Sequence, residues 1–148
     1  MAVLVAERKG IAAESTRTGR SSFLETLSQS SMVVLCCPLD HSTRDMIGIP
    51  ELKAMDNKAI LVKVSRGGVA DEAALLKSLQ EQWIAGAATD VFAVEPAVAS
   101  SPLLQPNIPN LTLSPHVAWY ADSSIENLKQ TIKSNLESFV GGLPVNLI

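Results

Sequence analysis

The sequence predicts an α/β fold, a parallel sheet of about five strands with helices on both faces. Three observations point to it. Short apolar runs without polar alternation recur along the chain, as expected of strands covered on both faces. Stretches with helical spacing of apolar residues lie between them, the βαβ pattern of a parallel sheet. The apolar content of 47% over 148 residues is enough for the core of about one domain.

The elements follow in order. The run AVLVA (2–6) reads as a buried strand. SSFLETLSQS (21–30) reads as a short helix, with Ser22 and Glu25 at capping-box spacing. MVVLCCP (32–38) is a second strand, stopped by Pro38. IPELKAM (49–55) is a short helix with a proline in its first turn, and AILVKV (59–64) is a third strand. ADEAALLKSLQEQW (70–83) is amphipathic: Leu75, Leu79 and Trp83 recur on one stripe. Asp71 and Glu72 stand at the positive end of its dipole. AGAATDVF (85–92) is a fourth strand, whose small residues call for close packing, and NLTLSP (110–115) is a fifth. The segment 96–109 holds four prolines and reads as an ordered loop. The last helix starts near Asp122 or Ser123, carries Ile125, Leu128, Ile132 and Leu136 as its apolar stripe, and ends at Gly141-Gly142.

Composition narrows the function. The net charge is −3, from 12 basic and 15 acidic residues, with no basic stripe, which argues against nucleic acid or an anionic membrane as partner. No apolar run approaches the roughly 18 residues of a membrane span, and the five apolar residues before Glu7 are too few for a signal-peptide core. The two cysteines, Cys36 and Cys37, are adjacent. Strand neighbours face opposite ways, so a bridge between them is not expected, and their spacing fits no metal site. They read as buried, reduced thiols of a cytoplasmic protein.

In a parallel sheet ligands bind beyond the carboxyl ends of the strands. Five ionisable residues fall there: Glu7 after the first run, Arg66 after the third, Asp90 and Glu95 after the fourth, His116 after the fifth. Each has an ordinary reading. Arg66 suits a solvated loop, Glu95 before Pro96 a turn, Asp90 a cap, and His116 a structural role. Their coincidence at one edge is what points to a site. The chemistry also fits together. An imidazole moves protons near neutral pH. A carboxylate holds its tautomer, and a guanidinium clamps a carboxylate or a polarised carbonyl. Such a set suits reduction of a 2-oxo acid, with hydride from a cofactor.

The stretches CCPLDHSTRDMIG, AILVKVSRGGVADEAAL, GAATDVFAVEP, SPLLQPNIPNLTLSPHVAW and NLESFVGGLPVN, in this order, resemble the D-isomer-specific 2-hydroxyacid dehydrogenases. SPHVAW looks most like the glycerate dehydrogenase and hydroxypyruvate reductase branch. The resemblance implies a Rossmann-like domain in which Arg66 binds the substrate, Glu95 pairs with His116, and His116 is the acid/base. It implies that Asp90 meets the nicotinamide end of the cofactor. Cys37, Pro38, Val64, Ser65, Arg66, His116 and Ala118 line the cofactor, and Glu7 meets the adenosine ribose. An acid at Glu7 favours NAD, while Arg8 and Lys9 beside it leave NADP open. The substrate would be a small 2-oxo or 2-hydroxy acid such as hydroxypyruvate or glyoxylate. No metal is implied.

The chain departs from the family in one respect. It has no G-x-G-x-x-G loop, and Gly67-Gly68 follows a later strand. Residues 1–148 therefore read as a partial NAD(P)-binding domain that starts at the family's second strand, with the substrate domain largely absent. A missing first strand is expected to separate AVLVA and MVVLCC from AILVKV. That gap would close directly, be filled by another chain, or leave a smaller sheet; unpaired edges favour a homo-oligomer. Two functions follow, an oxidoreductase with an incomplete cofactor site or a non-catalytic binding and assembly module.

Overall fold

Four of the apolar runs become strands: β1 (Met32–Leu35), β2 (Ile60–Lys63), β3 (Gly86–Thr89) and β4 (Leu111–Leu113). They appear in a computed structural model that describes residues 2–146. All pairs are parallel and the order is β1-β2-β3-β4. The register aligns Val33, Leu61, Ala87 and Leu111 in one row, and Leu35, Lys63, Thr89 and Leu113 two residues on. Side chains alternate along a strand, so both rows point to one face.

That face holds the core. The chain steps from each strand to its neighbour in one direction, and right-handed crossovers then place the connecting helices on the same side. These helices are α2 (Ile49–Ala54) and α3 (Glu72–Gln80), preceded by α1 (Phe23–Gln29). Leu27, Leu52, Leu75 and Leu79 pack with Val33, Leu61 and Ala87 in one buried cluster. At the predicted capping box Ser22 Oγ accepts from Glu25 N. Two further caps appear in the structure: the Asp71 carboxylate accepts from Ala73 N and Ala74 N, and Glu51 accepts from Gly48 N.

The structure corrects several expectations. Helices cover one face of the sheet in the unit that ends at His116; on the other face Met32, Val34 and Ile60 are exposed. Residues 2–6 form no strand but a single parallel bridge, Ala6 to Ser21, and Val3, Leu4 and Val5 are exposed. The break falls elsewhere than expected. β1 pairs directly with β2, because a short β–α–β crossover makes sequence neighbours into sheet neighbours, and the outcome is the smaller sheet. The helix at 70–83 ends at Gln80, since Gln82 turns the chain at φ 56°. Trp83 packs under Lys53 instead, 4.6 Å from its ammonium. Cys36 is exposed and Cys37 half-buried, because β1 ends at Leu35 and both lie past it; partial burial pushes the Cys37 thiol up.

A second unit begins at Val117. It is built on α4 (Asp122–Val140), capped by Gly141 and turned by Gly142 at φ 75°. Leu128, Ile132 and Leu136 of its predicted apolar stripe are exposed. No helix of the described residues is long and apolar enough to cross a membrane.

Candidate active site

Beyond the sheet the ladder continues through single backbone bonds. Val64 N donates to Leu35 O, Asp90 N to Lys63 O, Ser114 N to Thr89 O and His116 N to Asp90 O. These stitch the ends of all four strands together, so the residues that follow them share one edge.

At the end of β2, Lys63 is wholly buried. Its ammonium donates to the Gly67 carbonyl at 3.2 Å and lies 3.5 Å from Glu72 Oε1. That oxygen also accepts from Ala93 N at 2.7 Å, and Glu72 Oε2 accepts from Ser101 Oγ at 3.2 Å. Burial pulls the Lys63 ammonium below the ordinary lysine range, and the Glu72 carboxylate opposes it. One internal ion pair thus ties the turn after Arg66 to the loop that leads to Glu95. Gly67 completes the joint, since a Cβ there would lie 1.8 Å from the Phe92 carbonyl oxygen. This close approach is what the first glycine of the pair permits.

Arg66 itself is exposed, with extended backbone at φ −144° and Nη1 donating to the Ser65 carbonyl at 2.7 Å. After β3, Asp90 is buried and accepts from Ser114 Oγ at 2.5 Å. The loop then returns so that Glu95 Oε1 accepts from Phe92 N at 2.8 Å. The other oxygen, Oε2, meets His116 Nδ1 at 2.7 Å. Both side chains stay accessible, 35% for Glu95 and 40% for His116. His116 has φ 57°, a left-handed conformation that costs a non-glycine residue energy and tends to collect at functional positions.

Partial burial pushes the Glu95 carboxyl up. The Phe92 N–H, the His116 ring and the Arg66 charge outweigh that and hold it below the usual carboxylate range. Of the three residues expected to act together, Glu95 and His116 are therefore in contact, and Arg66 is near enough for its charge to act on Glu95.

The residues expected to line a cofactor stand past the same strand ends. Cys37 is half-buried and Pro38 exposed after β1; Val64 is 38% exposed after β2. Ser65 Oγ is buried and has no hydrogen-bond partner among the described residues, an unspent polar group where a dinucleotide would pass. These residues fit a nicotinamide cofactor at that edge. Ala118 belongs to the second unit and is exposed.

Glu7 differs from the rest. It is 3% exposed and its two oxygens accept four bonds. Arg8 N and Arg17 Nη2 reach Oε1 at 2.8 and 2.6 Å, and Arg17 Nε and Arg17 N reach Oε2 at 2.8 and 3.2 Å. The bidentate Arg17 guanidinium drives the Glu7 carboxyl far below the usual range.

Sequence reasoning missed Lys63, Glu72 and Arg17. A lysine inside an apolar strand run was the available signal for the first. Its carboxylate partner nine residues on, in the first turn of the next helix, was a signal for the second. Nothing local marks Arg17. The described residues contain no cluster of His, Cys, Asp and Glu able to hold a metal ion.

The chain is similar to known proteins over most of its length. The family model for the D-isomer specific 2-hydroxyacid dehydrogenase, NAD binding domain, matches residues 1–118. The chain is 43% identical over 126 residues to the glycerate dehydrogenase of Methylorubrum extorquens, covering 84% of this chain and 40% of that protein. It is 42% identical over 123 residues to the glyoxylate reductase of Korarchaeum cryptofilum, covering 82% and 36%. Among solved structures, an NAD-complexed D-isomer specific 2-hydroxyacid dehydrogenase from Lactobacillus delbrueckii ssp. bulgaricus superposes with a TM-score of 0.78 at 28% identity, over 97% of this chain and 48% of that one. The acyclic imino acid reductase Bsp5, in complex with NADPH and D-Arg, superposes with a TM-score of 0.81 at 25% identity, over 99% and 45%. The chain thus spans less than half the length of each of these proteins.

Proposed function

Because this chain belongs to the D-isomer specific 2-hydroxyacid dehydrogenase family and carries its NAD binding domain, we propose that it serves hydride transfer between NAD(P)H and a small 2-oxo acid such as glyoxylate or hydroxypyruvate. The observation that carries this reading is the 2.7 Å contact between Glu95 Oε2 and His116 Nδ1, open to solvent, with the Arg66 charge beside it. In this reading residues 1–148 are the nucleotide-binding part of a larger architecture, in keeping with the fraction of each relative that they span.

The geometry supports a division of labour. Glu95, held ionised, accepts from His116 Nδ1 and fixes the tautomer, so proton exchange falls to Nε2. His116 then gives a proton to the substrate's carbonyl oxygen on reduction and takes it back on oxidation. Arg66 binds the substrate carboxylate in two-pronged fashion and polarises the carbonyl. Asp90, fixed by Ser114, stands at the nicotinamide end, and Cys37, Pro38, Val64 and Ser65 line the cofactor. The bound cofactor supplies the hydride, which no side chain can.

The test is an NADH titration by fluorescence followed by assays of glyoxylate and hydroxypyruvate reduction. Arg66→Ala and His116→Ala should each lower turnover by about 10²-fold or more; full activity in either variant refutes the assignment.

A second reading, an assembly module that pairs copies of this chain, is favoured by one observation. The outer edge of β1 pairs with no other strand among the described residues, and Met32, Val34 and Ile60 stand exposed beside it. Light scattering should then show a dimer or larger species, and a monomer at high concentration excludes it.

A further inference from the structure

The turn after Arg66 is held carbonyl by carbonyl. Arg66 O accepts from Val69 N at 3.2 Å, Gly68 O from Asp45 N at 2.8 Å and Val69 O from Ile47 N at 3.2 Å, all of them backbone bonds. Gly67 O accepts instead from a side chain, the buried Lys63 ammonium at the end of β2. The loop that carries Glu95 is held differently. Among the described residues no backbone–backbone bond engages residues 92–95. Two carboxylates hold it: Glu95 takes Phe92 N, and Glu72, the first residue of α3, takes Ala93 N. Ser101 Oγ donates to the other Glu72 oxygen, so that carboxylate is fixed from both sides.

Stability alone does not explain an ion pair at this place. Burying two charges costs desolvation that their attraction roughly offsets, and apolar residues of similar volume often do as well. What an apolar pair cannot do is direct hydrogen bonds to two separate backbone groups. An ammonium has three donors and a carboxylate two accepting oxygens. Lys63 and Glu72, 3.5 Å apart, thereby reach Gly67 O on one side and Ala93 N on the other. Burial pulls the Lys63 ammonium down, and the Glu72 and Glu95 charges oppose that, which puts Glu95 within electrostatic reach of it.

Resting on the hydride-transfer reading above, we propose that Lys63 is a positioning residue: with Glu72 it fixes the spacing between the turn that carries Arg66 and the loop that carries Glu95. The anion clamp and the carboxylate that orients His116 are then set against one another from beneath. Lys63 is wholly buried, so it acts through Arg66 and Glu95 and not on a ligand. Both members of the pair stand at the ends of regular elements, β2 and α3, which is where a supporting residue is held most firmly.

Two double substitutions separate the two arms, and neither leaves an unpaired charge. Lys63→Met/Glu72→Gln removes the donor to Gly67 O and keeps an amide oxygen for Ala93 N. Lys63→Met/Glu72→Leu removes both bonds. Circular dichroism reports whether each variant keeps its fold. If the second does not, Lys63→Leu/Glu72→Met takes its place with the same expectation. The first readout is the tautomer of the His116 ring in the full chain, from its nitrogen-15 shifts at alkaline pH. Glu95 accepting from Nδ1 gives the Nδ1–H form. That form should persist in Lys63→Met/Glu72→Gln and give way to a mixture in Lys63→Met/Glu72→Leu. The second readout is glyoxylate reduction with NADH. In Lys63→Met/Glu72→Gln, KM for glyoxylate should rise about tenfold with kcat nearly kept, and in Lys63→Met/Glu72→Leu kcat should fall about 10²-fold. A folded Lys63→Met/Glu72→Leu that keeps the Nδ1–H form overturns the proposal, as does an active Lys63→Met/Glu72→Gln with the parent's KM. A parent chain without turnover sinks the hydride-transfer reading alone, because the tautomer comparison still decides whether Lys63 and Glu72 position Glu95.

Discussion

Glu7, just past the Ala6–Ser21 bridge, and Glu95, in the loop after β3, each hold a nitrogen partner, Arg17 at 2.6 Å and His116 at 2.7 Å. Both carboxyls lie below the ordinary glutamate value of 4.5. They differ in what is left over. Glu7 is 3% exposed and its oxygens are filled by four bonds, two of them from a guanidinium. Glu95 gives one oxygen to the backbone and the other to a half-exposed imidazole in a strained conformation. The difference teaches that an ion pair becomes chemistry only when one partner can still exchange a proton with a ligand. An arginine cannot exchange it, and a histidine can. The closed pair is architecture; the open pair is where a proton can move.

The largest way to break this comparison lies beneath the open pair. Glu95 is held by the 92–95 loop, which hangs on Glu72 through Ala93 N. Glu72→Ala strands the buried Lys63 charge and should cost about 3–5 kcal/mol of stability in urea unfolding. Lys63→Met/Glu72→Leu, which leaves no unpaired charge, should cost less than the single change. A single change as mild as a surface substitution would show that the loop is fixed by something else.

A smaller effect sharpens the contrast directly. Glu7→Gln should lower the urea midpoint, because it breaks a filled carboxylate shell. Glu95→Gln should leave the midpoint nearly unchanged while removing turnover, because it alters an exposed pair whose energetic weight is slight. Reversed ranks would abolish the distinction between the two sites.

The smallest effect is in pH dependence. Both folded values are depressed, so each pair contributes stability that is complete above the ordinary glutamate value of 4.5. That stability is lost as the pH falls below 4.5 toward the folded values. Glu7 is shifted further, so Glu7→Gln should flatten the acid limb of a stability–pH profile more than Glu95→Gln does. An acid limb that keeps its slope in Glu7→Gln removes Glu7 from the linkage.

The sequence by itself determined the α/β class and most of the elements, because periodicity is a local signal. Leu75 and Leu79 fall on a buried stripe whatever they pack against, and Asp71 caps its helix with its own next residues. It also placed Arg66, Asp90, Glu95 and His116 past strand ends, since in a parallel sheet the end of each run is also an edge of the molecule's groove. What it could not carry was pairing between distant residues. The sheet order, with β1 beside β2, depends on which backbone edges find each other, and AVLVA is as apolar as any strand yet forms only one bridge. The commitment of Glu7 to Arg17 ten residues away, and of Lys63 to Glu72 and the Gly67 carbonyl, likewise exists only once the chain is folded. Charge and polarity are written in the residues. Whether a charge is spent or available is decided by what tertiary structure brings within hydrogen-bond reach, because these bonds are short-ranged and direction-dependent.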